Sequence, residues 1–372
     1  MNINNFINYG LNFIPDDPYG LSMENTVISS YQEYLEKILR MHNNENIIGV
    51  PEKVLKNINK IAPYSNIYPE GTHRAIREKL AEFLKLNPEN FIITNGGDEL
   101  IYYSAMAFIN NDDEIILPRI TFSVYKIAYK VMRAKIVNSE MDGLRIDLND
   151  ILNKITYKTK IIAICNPNNP TGDAIDSKSF LDFYKNVPSR IMVIIDEAYR
   201  DFVAIDDYPD SISLLKQGKK NILVLRTLSK SYGIAGLRVG YGIAHPSVIN
   251  ILNKVKLPFN ISIISQFTAL AALEDKDFYE RSISEIKRGR EYLYKELEEL
   301  GLTYEKSNTN FILVHTGNKT GCIVNFLKER GILVLDTKGY ELPSSIRVTL
   351  GSQKQNELFV AALKNALNYC YG

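Results

Sequence analysis

The chain is poor in cysteine and histidine and has no long apolar run, and each shortage closes off a class of function. Its three cysteines, Cys165, Cys322 and Cys370, stand far apart and leave an odd count. They form no CxxC pair, so the sequence predicts neither a disulfide framework nor a zinc ribbon, and a reducing cytoplasm is the expected compartment. The four histidines (His42, His73, His245, His315) are scattered without HExxH spacing, so no metal site is expected. No apolar stretch reaches the roughly 18 residues that span a bilayer. The start, Met1 to Gly10, lacks the basic region and apolar run of a signal peptide. An excess of one charge is missing too: 44 Lys and Arg face 43 Asp and Glu, a formal net charge of +1. Such a chain has no electrostatic reason to seek nucleic acid or a membrane surface. Neither GxxxxGK[ST] nor a strand–GxGxxG–helix layout occurs, which argues against a nucleotide site.

What is present is an alternation of short apolar runs with helical patterns. The 372 residues are long for one core, so two domains are expected. Seven runs read as strands: Phe91–Thr94, Glu114–Leu117, Lys135–Val137, Ile161–Ile164, Met192–Ile195, Ile222–Leu225 and Val239–Ile243. Continuous apolar strands of this length are buried on both faces, the mark of a mostly parallel sheet between helix layers. Leu100–Ile109 and Ser177–Lys185 read as helices between them. After Pro258 come helical patterns at Ser262–Leu273 and Tyr279–Leu300, with Gly301 placed to stop the second. Phe311–Val314, Ile332–Leu335 and Ile346–Thr349 read as strands and Gln355–Tyr369 as a last helix. The expected division is an arm and part of a small domain (1–62), a large domain (63–260) and a small α/β domain (261–372). Within the arm, Thr26–Met41 and Pro51–Ile61 read as helices.

Polar signals stand immediately after the apolar strands, where open α/β sheets bind ligands. Asn95-Gly96-Gly97-Asp98-Glu99 opens a helix whose free N–H groups could cradle an anion, although ordinary capping explains it as well. Asn166-Pro167-Asn168-Asn169-Pro170-Thr171-Gly172 is a stiff loop that would fix its amides. Asp196 ends a buried strand, and a carboxylate there needs a cationic partner. Thr227-Leu228-Ser229-Lys230-Ser231, followed by Gly233, Gly236 and Arg238, sets a lysine among hydroxyls with an arginine eight positions on. That suits a covalent amine beside a bound phosphate. Alone, Lys230 would pass for a surface lysine. Together, a condensing amine, a carboxylate for a pyridine nitrogen and phosphate donors are what pyridoxal 5′-phosphate (PLP) requires.

This order of motifs resembles the fold-type I, class I/II aminotransferases, and Thr227 to Tyr241 (TLSKSYGIAGLRVGY) is particularly close to their histidinol-phosphate aminotransferase branch. The likeness covers essentially the whole chain. It implies a large PLP-binding domain with a mostly parallel seven-stranded sheet, a smaller α/β domain, and an aminotransferase acting on an amino acid and a 2-oxo acid. It makes Lys230 the amine that holds the cofactor and shuttles the proton, and Asp196 the partner of the pyridine nitrogen. Tyr199 and Asn169 would bond the ring oxygen, and Phe122 would stack on the ring. Gly97, Asp98, Ser229 and Arg238 would hold the phosphate, Ser231 standing outside the set. Tyr68 would reach the phosphate from a second subunit, implying a homodimer with shared sites. Arg347 would grip the substrate carboxylate.

Two positions depart from the family pattern. In Asn44-Glu45-Asn46-Ile47-Ile48-Gly49 the usual proline and aromatic are Ile47 and Ile48, and in Gly331-Ile332-Leu333-Val334-Leu335 the usual arginine is Leu335. Both positions face the distal end of the substrate in the family, so a more apolar distal pocket is expected, with Tyr340 as another possible contact. A PLP decarboxylase of the threonine-phosphate type is the alternative reading, since it shares the scaffold, and Leu335 weighs against it. A non-catalytic relative would be expected to lose the lysine or the aspartate, and both are present.

Overall fold

The computed structural model of the chain describes Ile14 and residues 31–372. Among these residues the strands are β1 (Leu39–Met41), β2 (Phe91–Asn95), β3 (Glu114–Pro118), β4 (Lys135–Ser139), β5 (Met141–Asp142), β6 (Arg145–Ile146) and β7 (Thr159–Cys165). They continue with β8 (Met192–Asp196), β9 (Ile222–Thr227), β10 (Val239–Ala244), β11 (Thr303–Tyr304), β12 (Phe311–His315), β13 (Ile332–Asp336) and β14 (Ser345–Thr349). Seven form one sheet in the order β2-β10-β9-β8-β7-β3-β4. All run parallel except β10, which is antiparallel to both neighbours.

The apolar runs are buried on both faces, as a sheet between helix layers requires. Along β7, Ile162 and Ile164 join one core while Ile161 and Ala163 join the other, the two-residue period of a strand dividing them between faces. The helix Ile263–Leu273 packs Ala269, Ala271, Ala272 and Leu273 into the first of these cores. A second, five-stranded sheet has the order β1-β13-β14-β12-β11. It is covered by the helices Lys276–Glu299, Thr320–Glu329 and Gln353–Tyr371. Ile286, Leu293 and Leu297 bury one stripe of the first, and Gly301 ends it at φ +71°, a conformation that costs glycine little.

Two expectations need correction. The helix read over Thr26–Met41 lies partly outside the described residues; within them it runs only from Tyr31 to Lys37. Leu39–Met41 instead pairs with β13 in parallel, Leu39 N–H donating to Gly331 O at 2.8 Å. That partner is nearly 300 residues away, so local periodicity could not reveal it. The cysteines do pair: Cys322 and Cys370 form a disulfide, their Cα atoms 6.1 Å apart. Adjacent packing of the Thr320–Glu329 and Gln353–Tyr371 helices brings them together. Cys165 is free and buried. Among the described residues no helix is long and apolar enough to cross a membrane, and no His, Cys, Asp and Glu cluster could hold a metal ion.

Candidate active site

Parallel β-strands bring their carboxyl ends to one edge of the sheet, and that edge carries the polar residues. β2 delivers Gly97 and Asp98, β8 ends at Asp196, and β9 leads through Thr227 and Ser229 to Lys230. Arg238 reaches the same edge because β10, which follows it, runs the other way. With β14 and the segment after β1 they wall a cavity of about 610 Å³. Gly97, Asp98, Phe122, Asn169, Asp196, Tyr199, Ser229, Lys230, Arg238, Leu335, Tyr340 and Arg347 all line it. Ile48 and Tyr68 do not. Tyr68 is 79% exposed and stacks on Phe259 at 4.9 Å between ring centres. Ser231 is fully buried and turns away to donate to Asp201.

The cavity is electrically divided. Asp196 is buried, and its carboxylate accepts from the Ala198 N–H (3.0 Å), the Tyr125 hydroxyl (3.2 Å) and, weakly, Cys165 (3.8 Å). These donors are neutral, and burial pushes its pKa up to about 6. Such a group is stabilised by any cation brought to it. The following turn is anchored by Glu197, whose Oε2 takes both Arg226 (2.8 Å) and Arg200 (3.2 Å). Lys230 donates to Asn43 O at 3.1 Å, and its ammonium sits 5.6 Å from the centre of the Tyr199 ring. Burial, followed by the nearby Arg347 charge, lowers its pKa to about 8, so a reactive neutral amine is accessible near neutrality.

A third corner suits an anion. Asn95 caps the helix Gly96–Phe108 without a side-chain bond, leaving first-turn N–H groups at Gly97 and Asp98 available. Arg238 lies across this turn, 3.3 Å from the Asp98 carboxylate. Gly96 is required here: at φ +74° it is in the left-handed region, and a Cβ would lie 2.2 Å from Arg238 Nη2. Ser229 completes the corner, its Oγ accepting from Thr227 at 2.9 Å. On the opposite wall Arg347 donates to Asn169 Oδ1 at 2.5 Å and to His42 O, while its Nε is buried without a partner. Among the described residues no carboxylate pairs with this guanidinium, and one entering the cavity would be its charge partner.

These groups fit PLP: a buried carboxylate lacking a cation, an amine of lowered pKa, an aromatic wall at Phe122, and an uncapped helix start beside an arginine. Sequence reasoning passed over Tyr125, which bonds Asp196, and gave no role to Asn44 or Asn46. Asn46 Nδ2 donates to Lys230 O (2.8 Å) and Ser282 Oγ (2.7 Å), fastening the segment after β1 to the lysine loop. The signal was a pair of asparagines flanking Glu45, uninformative until their partners are known.

Comparison with known proteins agrees with this geometry. The family model for aminotransferase class I and II matches residues 36–363. The histidinol-phosphate aminotransferase of Moorella thermoacetica is 37% identical over 335 residues, spanning 90% of this chain and 86% of that protein. The crystal structure of the Sinorhizobium meliloti histidinol-phosphate aminotransferase in complex with pyridoxal-5′-phosphate superposes with a TM-score of 0.85 at 25% identity, covering 91% of this chain and 93% of that one. L-threonine-O-3-phosphate decarboxylase from Porphyromonas gingivalis shares the fold, with a TM-score of 0.76 at 21% identity over 89% of this chain and 100% of that one. With a family match over most of its length and the sheet-edge site just described, the chain belongs to the class I and II aminotransferases.

Proposed function

We propose that this aminotransferase holds PLP on Lys230 and moves an amino group between an amino acid, or a histidinol-phosphate-like amine, and a 2-oxo acid. The carrying observation is the pairing of a depressed-pKa amine, Lys230, with a cation-seeking buried carboxylate, Asp196, in one cavity. When bound, PLP supplies an aldehyde that takes up amines and a ring that accepts the electrons left at the substrate's α-carbon. Asp196 pairs with the ring nitrogen and holds its proton. Tyr199 and Asn169 bond the ring oxygen, Phe122 covers a ring face, and Ser229, Arg238 and the Gly97–Asp98 turn take the phosphate. Lys230 would carry the proton at the substrate's α-carbon. Arg347 orients the substrate through its carboxylate. The reading includes a cytoplasmic homodimer, in which the exposed Tyr68 reaches the partner's phosphate site.

The test is a scan of amino acids against the purified protein, following conversion of the bound cofactor from its aldehyde to its amine form. Carbon dioxide release without that conversion would replace transamination with decarboxylation. Substituting Arg347→Ala removes a charge-assisted contact worth about 1.5–3 kcal/mol. The expected result is a rise of about 10–100-fold in KM for the amino donor, with cofactor uptake retained. An unchanged KM would remove Arg347 from the carboxylate site.

The distal wall bears on substrate choice. Leu335 lines the cavity and is the cross-strand partner of Arg347, so an aliphatic group stands where the family pattern has an arginine. Among the described residues the cationic side chains on the wall are Lys230, Arg238 and Arg347, each with a proposed partner. An uncharged, apolar substrate side chain is therefore favoured over a phosphorylated one. Leu335→Arg is expected to raise kcat/KM for histidinol phosphate by about tenfold or more relative to the best apolar amino acid. Wild-type turnover of histidinol phosphate equal to that of the best amino acid would reverse this ranking.

A further inference from the structure

One buried hydrogen-bond network runs from Asn310 and Thr349 through Asn44 and ends on Tyr199. Asn44 follows β1 in the left-handed region at φ 55° and is 1% exposed. Its backbone is held at both ends: its N–H donates to Thr349 Oγ1 at 3.0 Å, and its carbonyl accepts from Asn310 Nδ2 at 3.1 Å. Thr349, having accepted that N–H, donates its own hydroxyl proton to Asn44 Oδ1 at 3.1 Å. With the amide turned round, the buried Thr349 hydroxyl proton would have no acceptor among the described residues, and this selects the way the side-chain amide faces. With its oxygen engaged by Thr349, Asn44 presents its NH₂ to Tyr199, donating to the phenol oxygen at 2.9 Å.

A phenol oxygen that accepts a hydrogen bond keeps one proton to give. Tyr199 is buried, its ring fixed edge-on against Phe311 at 5.2 Å between centres. Among the described residues no protein acceptor takes the Tyr199 O–H, and the residue lines the cavity. We infer that Asn44 is a positioning residue that commits the Tyr199 hydroxyl to donate into the cavity, toward the ring oxygen of the bound cofactor. The inference rests on the proposed PLP function. Its chemical consequence is that the ring oxygen meets a donor and not a competing lone pair, which favours its anionic form. The titratable groups facing Tyr199 are Arg347 from β14, Asp196 from β8, Tyr340 from the turn after β13 and Lys230 from the loop after β9, and Asn44 contacts the phenol without adding charge.

The experiment uses the full-length, PLP-loaded protein and reads the pH at which the visible band of the bound cofactor interconverts. In Asn44→Asp a carboxylate replaces the donor and accepts the Tyr199 proton, turning it away from the cofactor. The midpoint is expected to rise by about one pH unit, with kcat near neutrality falling about tenfold. Asn44→Gly, which tolerates the left-handed backbone and removes the donor without adding charge, is expected to move the midpoint the same way by less. Tyr199→Phe should reproduce the shift, and Asn44→Gly in that background should add nothing to it. An unmoved midpoint in both Asn44 variants, or a full additional shift in the Tyr199→Phe background, overturns the inference while leaving the PLP reading intact. Failure of the wild-type protein to show any PLP band instead overturns the PLP reading, and this inference with it.

Discussion

Lys230→Ala is expected to yield a folded protein that binds PLP without a covalent link and transaminates at least about 10⁴-fold more slowly, the scale of a lost proton-transfer group together with covalent capture. Two measurements check this: steady-state turnover with the best donor, and mass spectrometry after borohydride reduction. Reduction should fix the cofactor's mass to the peptide carrying residue 230 in the wild type and to no peptide in the variant. The environment of this lysine adds a pH signature. Burial and Arg347 lower its pKa to about 8, and the neutral amine is the reactive form. The rate of PLP uptake by the cofactor-free protein should therefore climb about tenfold per pH unit below pH 8 and level off above it. A rate still climbing beyond pH 10 would mean that the lysine is solvated and outside the cavity. A Lys230→Ala protein with near-normal transaminase turnover would sink the functional assignment.

Asp196→Asn is expected to lower kcat about 10³-fold, the size of effect that follows loss of one preorganised electrostatic contact. An amide cannot hold a proton on a ring nitrogen, so the electron-accepting character of the cofactor is lost even though its position is kept. The same substitution should leave the cofactor-free protein as stable as the wild type, or more so. In that state Asp196 is a buried carboxylate bonded to neutral donors, with its pKa raised to about 6. A carboxylate so buried opposes folding above that pH, because its charged form is disfavoured relative to the unfolded chain, whereas an amide carries no such penalty. Rate and melting temperature should thus respond differently to one substitution. A variant that loses thermal stability along with activity would show that the carboxylate is structural, with no special tie to the cofactor.

The strands of the large sheet were legible because they are short apolar runs buried on both faces, and their ends were cut short where polar residues continue the ladder. Asn95, Asp196 and Thr227 belong to their strands, and the last two line the cavity. Lys230, Asp196 and Arg238 could be read as a group because each lies within a few positions of a strand end. β1 and the Cys322–Cys370 bond could not, since each depends on a partner that only the packed molecule supplies. Asn44 was obscure for the same reason: its surroundings come from Tyr199, Asn310 and Thr349. Leu335 and Arg347 stand opposite one another on β13 and β14, a pairing that shows only once the two strands are joined.

The bond from Arg347 to His42 joins residues 305 apart in the chain, and that from Arg347 to Asn169 spans 178. A site closed by such distant contacts has high contact order, and the cost of closing loops of that size falls late in folding. During refolding from denaturant, helical signal should return first and the ability to capture substrate last. A fragment ending before residue 347 would retain Lys230 and Asp196 yet lack β14 and the wall that Arg347 gives the cavity.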